Sequence, residues 1–391
     1  MKTVKLIAIA SLMQASLAAA ALAAPVKIGF ISTFSGPGSV LGQDQYDGFM
    51  LAVEQGKGKL GGYDVKVIQE DDQMKPDVGM LGLTKLLERE KVDIVTGLTY
   101  ANVMMALQAK IGASKIPFVG SVSGPSPLAG AQCKPNLFVT SWQSDATAEA
   151  MGKYLNDQKV ADISIIAPNF LGSKDKVTGL KRFYKGKISN EIYTSLTQLD
   201  FSAELSQIGA AKPAGVFGFF PGGQGVSFVR QYQQMGMGKT IPLYSVHTLE
   251  PTSLGAIGKV AYGNIVAETW QPSADNAQNK QFVAAYEKKY GRTPTSFAAF
   301  SYDAAILIGE ALKKIGGKAS DSQAFIDAIR TTPFQSVRGD FKFNKNNYPI
   351  QNYNIYQVAE GADGKPMFKM LVKNVLASHG DAYAEQCGAS K

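Results

Sequence analysis

The amino-acid sequence predicts an α/β protein of two doubly wound, Rossmann-like lobes that share several chain crossings. Three observations predict it. Short β-branched runs alternate with amphipathic helical stretches from Val26 onward, the alternation restarts after Ser141, and three more helical stretches precede a closing set of strands. Repeated βα units bury their apolar faces as a parallel sheet covered by helices on both sides. Two such series in 391 residues leave each lobe a core of ordinary size.

In the first series, residues 26–31 form a strand, and Tyr46, Phe49, Met50 and Val53 follow at the spacing of one helix face. Strands over 65–68, 93–96 and 117–119 alternate with helices near 77–90 and 104–114. The second series places strands at 163–167, 192–194, 216–220, 241–245 and 265–268, with helices near 174–184, 201–211 and 225–235. Helices at 276–290, 297–315 and 321–331 then precede strands at 341–343, 353–358 and 367–372. Helices that reappear after the second sheet must cover apolar surface, and returning to the first lobe is the economical way. The expected lobes are therefore residues 24–141 with 272–335, and 142–271 with 336–391.

Residues 1–23 read as an export signal. Lys2 and Lys5 precede an almost uncharged Ala- and Leu-rich stretch, and Ala21, Leu22 and Ala23 offer a small-x-small cleavage pattern. A membrane anchor is the alternative, but Pro25 and a strand pattern follow at once. No later stretch approaches the ~20 apolar residues of a spanning helix, and no Cys at the cleavage point suggests lipid attachment. The formal charge of +8 is spread over 40 basic and 32 acidic residues without a run of five or more Lys and Arg, which argues against nucleic acid. Cys133 and Cys387 lie in polar, loop-like surroundings. In an oxidising compartment they are expected to pair and pin the C-terminal tail, the alternative being two free thiols.

Chemistry is sparse. His247 and His379 are the only histidines, and no HExxH, CxxC, Walker or GxSxG pattern occurs, so neither a metal nor a cofactor is expected. Gly222, Gly223 and Gly225 follow a strand without the dinucleotide-binding spacing. Asp71 and Asp72 directly follow a strand and read as strand-end polarity rather than a catalytic pair. What is present is a style of turn. Four strands end in small, hydroxylic and aromatic residues: Ser32, Thr33, Phe34 and Ser35; Thr99, Tyr100, Ala101 and Asn102; Ser121, Val122 and Ser123; and Phe219, Phe220, Gly222, Gly223 and Gln224. Any one of these is ordinary turn or capping chemistry. Four together suggest a binding cleft at the carboxyl ends of the strands, where helix N-termini aim free N–H groups.

Residues 29–37 and 117–123 resemble the type I periplasmic binding proteins of the branched-chain amino acid (leucine/isoleucine/valine) family. So do residues 286–294, with Ser301, Tyr302, Asp303 and Ala304 after them. The resemblance implies a two-lobed, three-hinge, non-catalytic periplasmic receptor that acts as a monomer and delivers a small anionic organic ligand to an ABC-type permease. It implies that the ligand carboxylate meets the Tyr100–Ala101–Asn102 and Ser121–Val122–Ser123 turns, and that Phe170, Gly223, Gln224, His247 and Thr248 face it from the second lobe. Phe34 and Phe220 are added as flat apolar walls of the turns. The family's amino-acid binders commonly carry an aromatic at Leu41, Ser at Ala101 and an acid near His247 for the ligand ammonium; here the nearest acid is Glu250. Residues 139–145 and 338–344 look more like the subgroup that binds aromatic carboxylates of the benzoate, hydroxybenzoate or cinnamate type. Trp142 either packs the hinge or stacks on a ligand ring. A sensory receptor lobe and an exported enzyme are the competing functional classes.

Overall fold

The computed structural model describes residues 24–362 and 364–388, so the expected export signal at 1–23 lies outside the described residues. The first series folds as β1 (Val26–Ser32), α1 (Ser39–Gln55), β2 (Lys59–Leu60), β3 (Tyr63–Asp71), α2 (Pro76–Thr84), β4 (Ile94–Gly97), α3 (Ala101–Ser114), β5 (Phe118–Gly120), α4 (Ser126–Ala129) and β6 (Leu137–Val139). These strands form a six-stranded sheet in the order β2-β3-β1-β4-β5-β6, parallel throughout except for β2. The helix expected over 77–90 ends as α2, and a wider π-helical turn carries residues 85–90. β2, α4 and β6 went unforeseen because two to four residues carry no periodicity.

The second series comprises α5 (Ala146–Asp157), β7 (Asp162–Pro168), α6 (Leu171–Phe183), β8 (Lys187–Thr194), α7 (Ser202–Ala211), β9 (Val216–Gly218), α8 (Gly223–Gln234), β10 (Leu243–Ser245), α9 (Pro251–Ile257) and β11 (Ile265–Glu268). Then come α10 (Ala277–Tyr290), α11 (Ser296–Lys314), α12 (Ser322–Thr331), β12 (Lys342–Phe343), β13 (Pro349–Glu360) and β14 (Pro366–His379). The second sheet runs β12-β13-β11-β10-β9-β7-β8, with β14 on β13. Its β7–β11 core is parallel, whereas β12, β13 and β14 pair antiparallel, so the sheet is mixed.

The returning helices pack on the first sheet. Phe282, Phe300, Leu307 and Phe325 share one buried cluster with Ile28, Phe30, Val95 and Val119. α1 and α11 approach so closely that a Cβ on Gly48 would lie 2.1 Å from the Ala298 carbonyl oxygen. Between the sheets the chain crosses after β6, after β11 and after α12. Arg338 clasps these crossings: it pairs with Asp303 at 3.0 Å and donates to the Ser141 carbonyl at 3.1 Å and Gln351 Oε1 at 2.7 Å. Its side chain and that of Asp303 are buried, and a buried pair of this kind is destabilising when broken from one side. Cys133, beyond α4, is bonded to Cys387, 254 residues later in the tail that follows β14. Closing so long a loop removes roughly 5 kcal/mol of denatured-chain entropy in the simple model.

Candidate functional site

The parallel strands of both sheets point their carboxyl ends at one cleft. Thr99, Tyr100 and Ala101 follow β4, Val122 and Ser123 follow β5, Phe170 follows β7, Phe219 and Pro221 follow β9, and His247 follows β10; all line it. The cleft holds about 440 Å³ of empty space counted out to its mouth. Its walls are chiefly rings. Tyr100 of the first lobe meets Phe170 of the second at 6.0 Å between centroids, and Phe170 meets Phe219 at 6.0 Å. Trp142 lies at the first crossing with its indole stacked on His247 at 4.2 Å and 18°, and its edges against Phe297 and Phe300.

On the first-lobe side a neutral network holds the turns. The Ser32 hydroxyl bonds Gln45 Oε1 at 2.5 Å and Thr99 Oγ1 at 2.7 Å, while Gln45 Nε2 donates to Ser121 Oγ at 2.8 Å. All four side chains are buried. Gly97 bends the chain out of β4 at φ +107°, with its Cα against the Ile31 carbonyl, a turn a side chain would block. The result is a fixed approach to the N-terminus of α3. There the Ser123 hydroxyl, buried and lining the cleft, has no hydrogen-bond partner among the described residues.

The second-lobe side is ionisable. Lys176, one turn into α6, is 3% exposed and lines the cleft. Its ammonium donates to the Ser144 carbonyl at 3.1 Å and Thr147 Oγ1 at 3.3 Å, and lies 5.0 Å from the Phe219 ring centre and 5.8 Å from that of Trp142. Burial pushes its pKa down to about 8, against the attraction of Glu268, Asp145 and Asp175. His247, held in the left-handed region at φ +48°, is pushed down to about 4 by burial and by Lys176. Burial lifts Glu250 to about 7 and Glu268 to about 8. Glu268 Oε1 lies 2.7 Å from His247 Nδ1, but off the line of a ring N–H bond. The backbone N–H groups of Thr269 and His247 lower the Glu268 pKa without reaching hydrogen-bond alignment, so both carboxylate oxygens remain unpartnered. The lobes touch across the seam through Ser296 Oγ, which donates to Glu250 Oε1 at 3.3 Å, and the Ser126 N–H, which donates to Asp175 Oδ2 at 3.0 Å.

A family model described as periplasmic binding protein matches residues 25–365. The chain belongs to the periplasmic binding protein family. Among its curated relatives, the Leu/Ile/Val-binding protein homolog 6 of Brucella melitensis is 26% identical over 371 residues, which is 92% of this chain and 94% of the relative. Among solved structures, an ABC-transporter solute-binding protein from R. palustris in complex with benzoate superposes with a TM-score of 0.88 at 26% identity, covering 93% of this chain and 99% of that one. Another, from Rhodopseudomonas palustris BisB5 in complex with 3,4-dihydroxy benzoic acid, gives 0.86 at 26% identity, covering 92% and 99%.

In this periplasmic binding protein, seven of the residues singled out by sequence come together at the cleft: Tyr100, Ala101, Val122, Ser123, Trp142, Phe170 and His247. Seven others lie off it, each for a visible reason. Phe34 packs on Phe30 and Tyr46. Asn102 turns its amide toward the Met74 carbonyl, and Ser121 is engaged by Gln45 beneath the turn. Phe220 stacks on Phe228 inside the second lobe, because neighbouring residues at a strand end face opposite ways. Gln224 donates to the Gln198 carbonyl at 2.8 Å, and Thr248 braces its own turn by accepting from the Phe220 N–H at 3.0 Å. Gly223 borders a separate crevice with Val40 and Leu41 at the seam between the lobes. Sequence reasoning missed Thr99, Ser144, Lys176, Phe219 and Phe297 as lining residues. Phe219 was one position away, and Thr99 stood within a turn already singled out. Lys176 gave no signal, because a lysine in the Lys174–Asp175–Lys176 run reads as a solvated face.

Proposed function

We propose that this chain is the extracytoplasmic solute-binding component of an ABC importer, and that its lobes close without catalysis on a small aromatic carboxylate of the benzoate or hydroxybenzoate class. One observation carries the reading: a slot walled by aromatic rings that ends, on the first-lobe side, at the free Ser123 hydroxyl and the N-terminal amides of α3. Flat apolar walls suit a ring, and an unpartnered donor at a helix N-terminus suits a carboxylate. The two aromatic-acid complexes among similar structures support it. In the same reading residues 24–141 with 272–335 form one lobe and 142–271 with 336–391 the other. Ring contacts such as Tyr100 on Phe170 then form only on closure, so ligand binding and closure are coupled.

Calorimetric titration of the purified mature protein with benzoate, 4-hydroxybenzoate, p-coumarate and leucine tests it. Saturable one-to-one binding of at least one aromatic acid is the expected result. Binding of leucine alone overturns the aromatic reading, and turnover of any ligand overturns the receptor class.

A further inference from the structure

Lys176 is a buried cation without a close anion. Among the described residues no carboxylate oxygen lies within 4.0 Å of its ammonium, whose two acceptors, the Ser144 carbonyl and the Thr147 hydroxyl, are neutral. A lysine ammonium has three donors, so one is left toward the cleft it lines. The converse holds for Glu268 at the end of β11. Both of its oxygens are buried and unpartnered, and Lys176 is the cation that bears on it most strongly. An isolated buried charge is costly on either side, so the two groups serve each other at a distance across the second-lobe wall.

We propose that Lys176 is a specificity-determining residue: a built-in cation on the cleft wall, so that the cleft accepts a carboxylate carrying no positive group and rejects the corresponding amino acid. This rests on the reading of the cleft as a carboxylate site, and it deepens that reading by naming the charge state the ligand must have. An ammonium entering the slot meets a like charge held in place, since the Lys176 ammonium is bonded to the Ser144 carbonyl and Thr147 hydroxyl and lies 5.8 and 5.0 Å from the Trp142 and Phe219 ring centres. A bare carboxylate instead finds the free donor. Without the lysine that like charge is gone, and the barrier to an ammonium ligand falls.

Two ligand pairs that differ only by the α-ammonium test this: 3-phenylpropanoate against phenylalanine, and 4-methylpentanoate against leucine. The wild-type protein is expected to favour the acid of whichever pair fits by at least a hundredfold. Lys176→Met, which keeps the stem but not the charge, should weaken the acid at least tenfold and narrow that preference at least tenfold, whereas Lys176→Arg should retain it. Glu268→Gln provides a second route should the methionine variant fail to fold. It should bind the acid at least as tightly as wild type and still reject the amino acid. A wild-type protein that prefers either amino acid, a preference unchanged in Lys176→Met, or Glu268→Gln that gains amino-acid binding overturns the proposal. Because one pair is aliphatic, a protein that takes 4-methylpentanoate but neither 3-phenylpropanoate, benzoate nor 4-hydroxybenzoate sinks the aromatic reading and leaves the role of Lys176 standing. No binding of any of these acids sinks both, and if benzoate alone binds, an affinity unchanged in Lys176→Met overturns the role of Lys176.

Discussion

The two walls of the cleft solve the same problem in opposite ways. The first-lobe wall is neutral: Ser32, Gln45, Thr99 and Ser121 satisfy one another, and among the described residues the cleft-lining Ser123 hydroxyl is left without a partner. The second-lobe wall buries four ionisable groups, Lys176, His247, Glu250 and Glu268, whose ordinary pKa values are all displaced by burial. A satisfied neutral network holds its shape without regard to pH or to what enters. A buried set of charges leaves a potential that depends on both. The lesson is a division of labour between a neutral wall and an ionisable one, and in the proposed reading the first positions a ligand while the second selects its charge.

The strongest way to break this division is at the boundary. Trp142→Ala removes an indole packed on His247 and on Phe297 and Phe300, and should cost about 3–5 kcal/mol of stability, read by chemical denaturation of the unliganded protein. Next, Gln45→Ala strands the Ser121 hydroxyl in the interior and leaves the Ser32 hydroxyl only Thr99. A loss of about 1–3 kcal/mol in the same assay is expected, with acid binding weakened but its pH dependence intact. Ser123→Ala should leave stability unchanged, since no described residue uses that hydroxyl, yet weaken a carboxylate ligand by about 1.5–3 kcal/mol in titration calorimetry.

The smallest effect near neutral pH separates the walls most cleanly. In the free protein Lys176 is charged below about 8 and loses its proton as pH rises through that value. Glu250 and Glu268 gain negative charge around 7 and 8, Asp175 around 6, and His247 stays neutral above about 4. An anionic ligand is therefore held best on the acid side of these transitions. Its affinity should fall above pH 8 by up to about tenfold per unit as the lysine deprotonates. Lys176→Met should flatten that fall, and a slope equal in the variant and the wild type would return the charge selection to the first lobe.

Legibility in the sequence followed the range of the interactions involved. β11 was expected where it lies, and α10, α11 and α12 within a residue or two, since periodicity and the capping residues Asn276, Thr295 and Asp321 are local signals. The turns after β4 and β5 stood out for the same reason, as small and hydroxylic residues directly after a strand. Which member of each turn lines the cleft was not local. Ser121 and Ser123 are alike in sequence, and Gln45, 76 residues before Ser121, decides that the first is spent and the second free.

From its residues alone, then, this chain determined that two βα series would form two sheet-centred lobes, that strand-end turns would line the cleft between them, and that its two cysteines had the chance to pair. Those outcomes depend on patterning and composition over a few dozen residues. Only the tertiary structure decided that Phe219 rather than Phe220 faces the cleft, that Gln224 and Thr248 are spent on backbone, and that a lysine from an ordinary amphipathic helix is buried in the cleft wall. Burial and electrostatic environment are properties of the packed whole: desolvation of Lys176 exists only once α6, Trp142 and the Phe219 turn after β9 are brought together, and they are not neighbours in sequence.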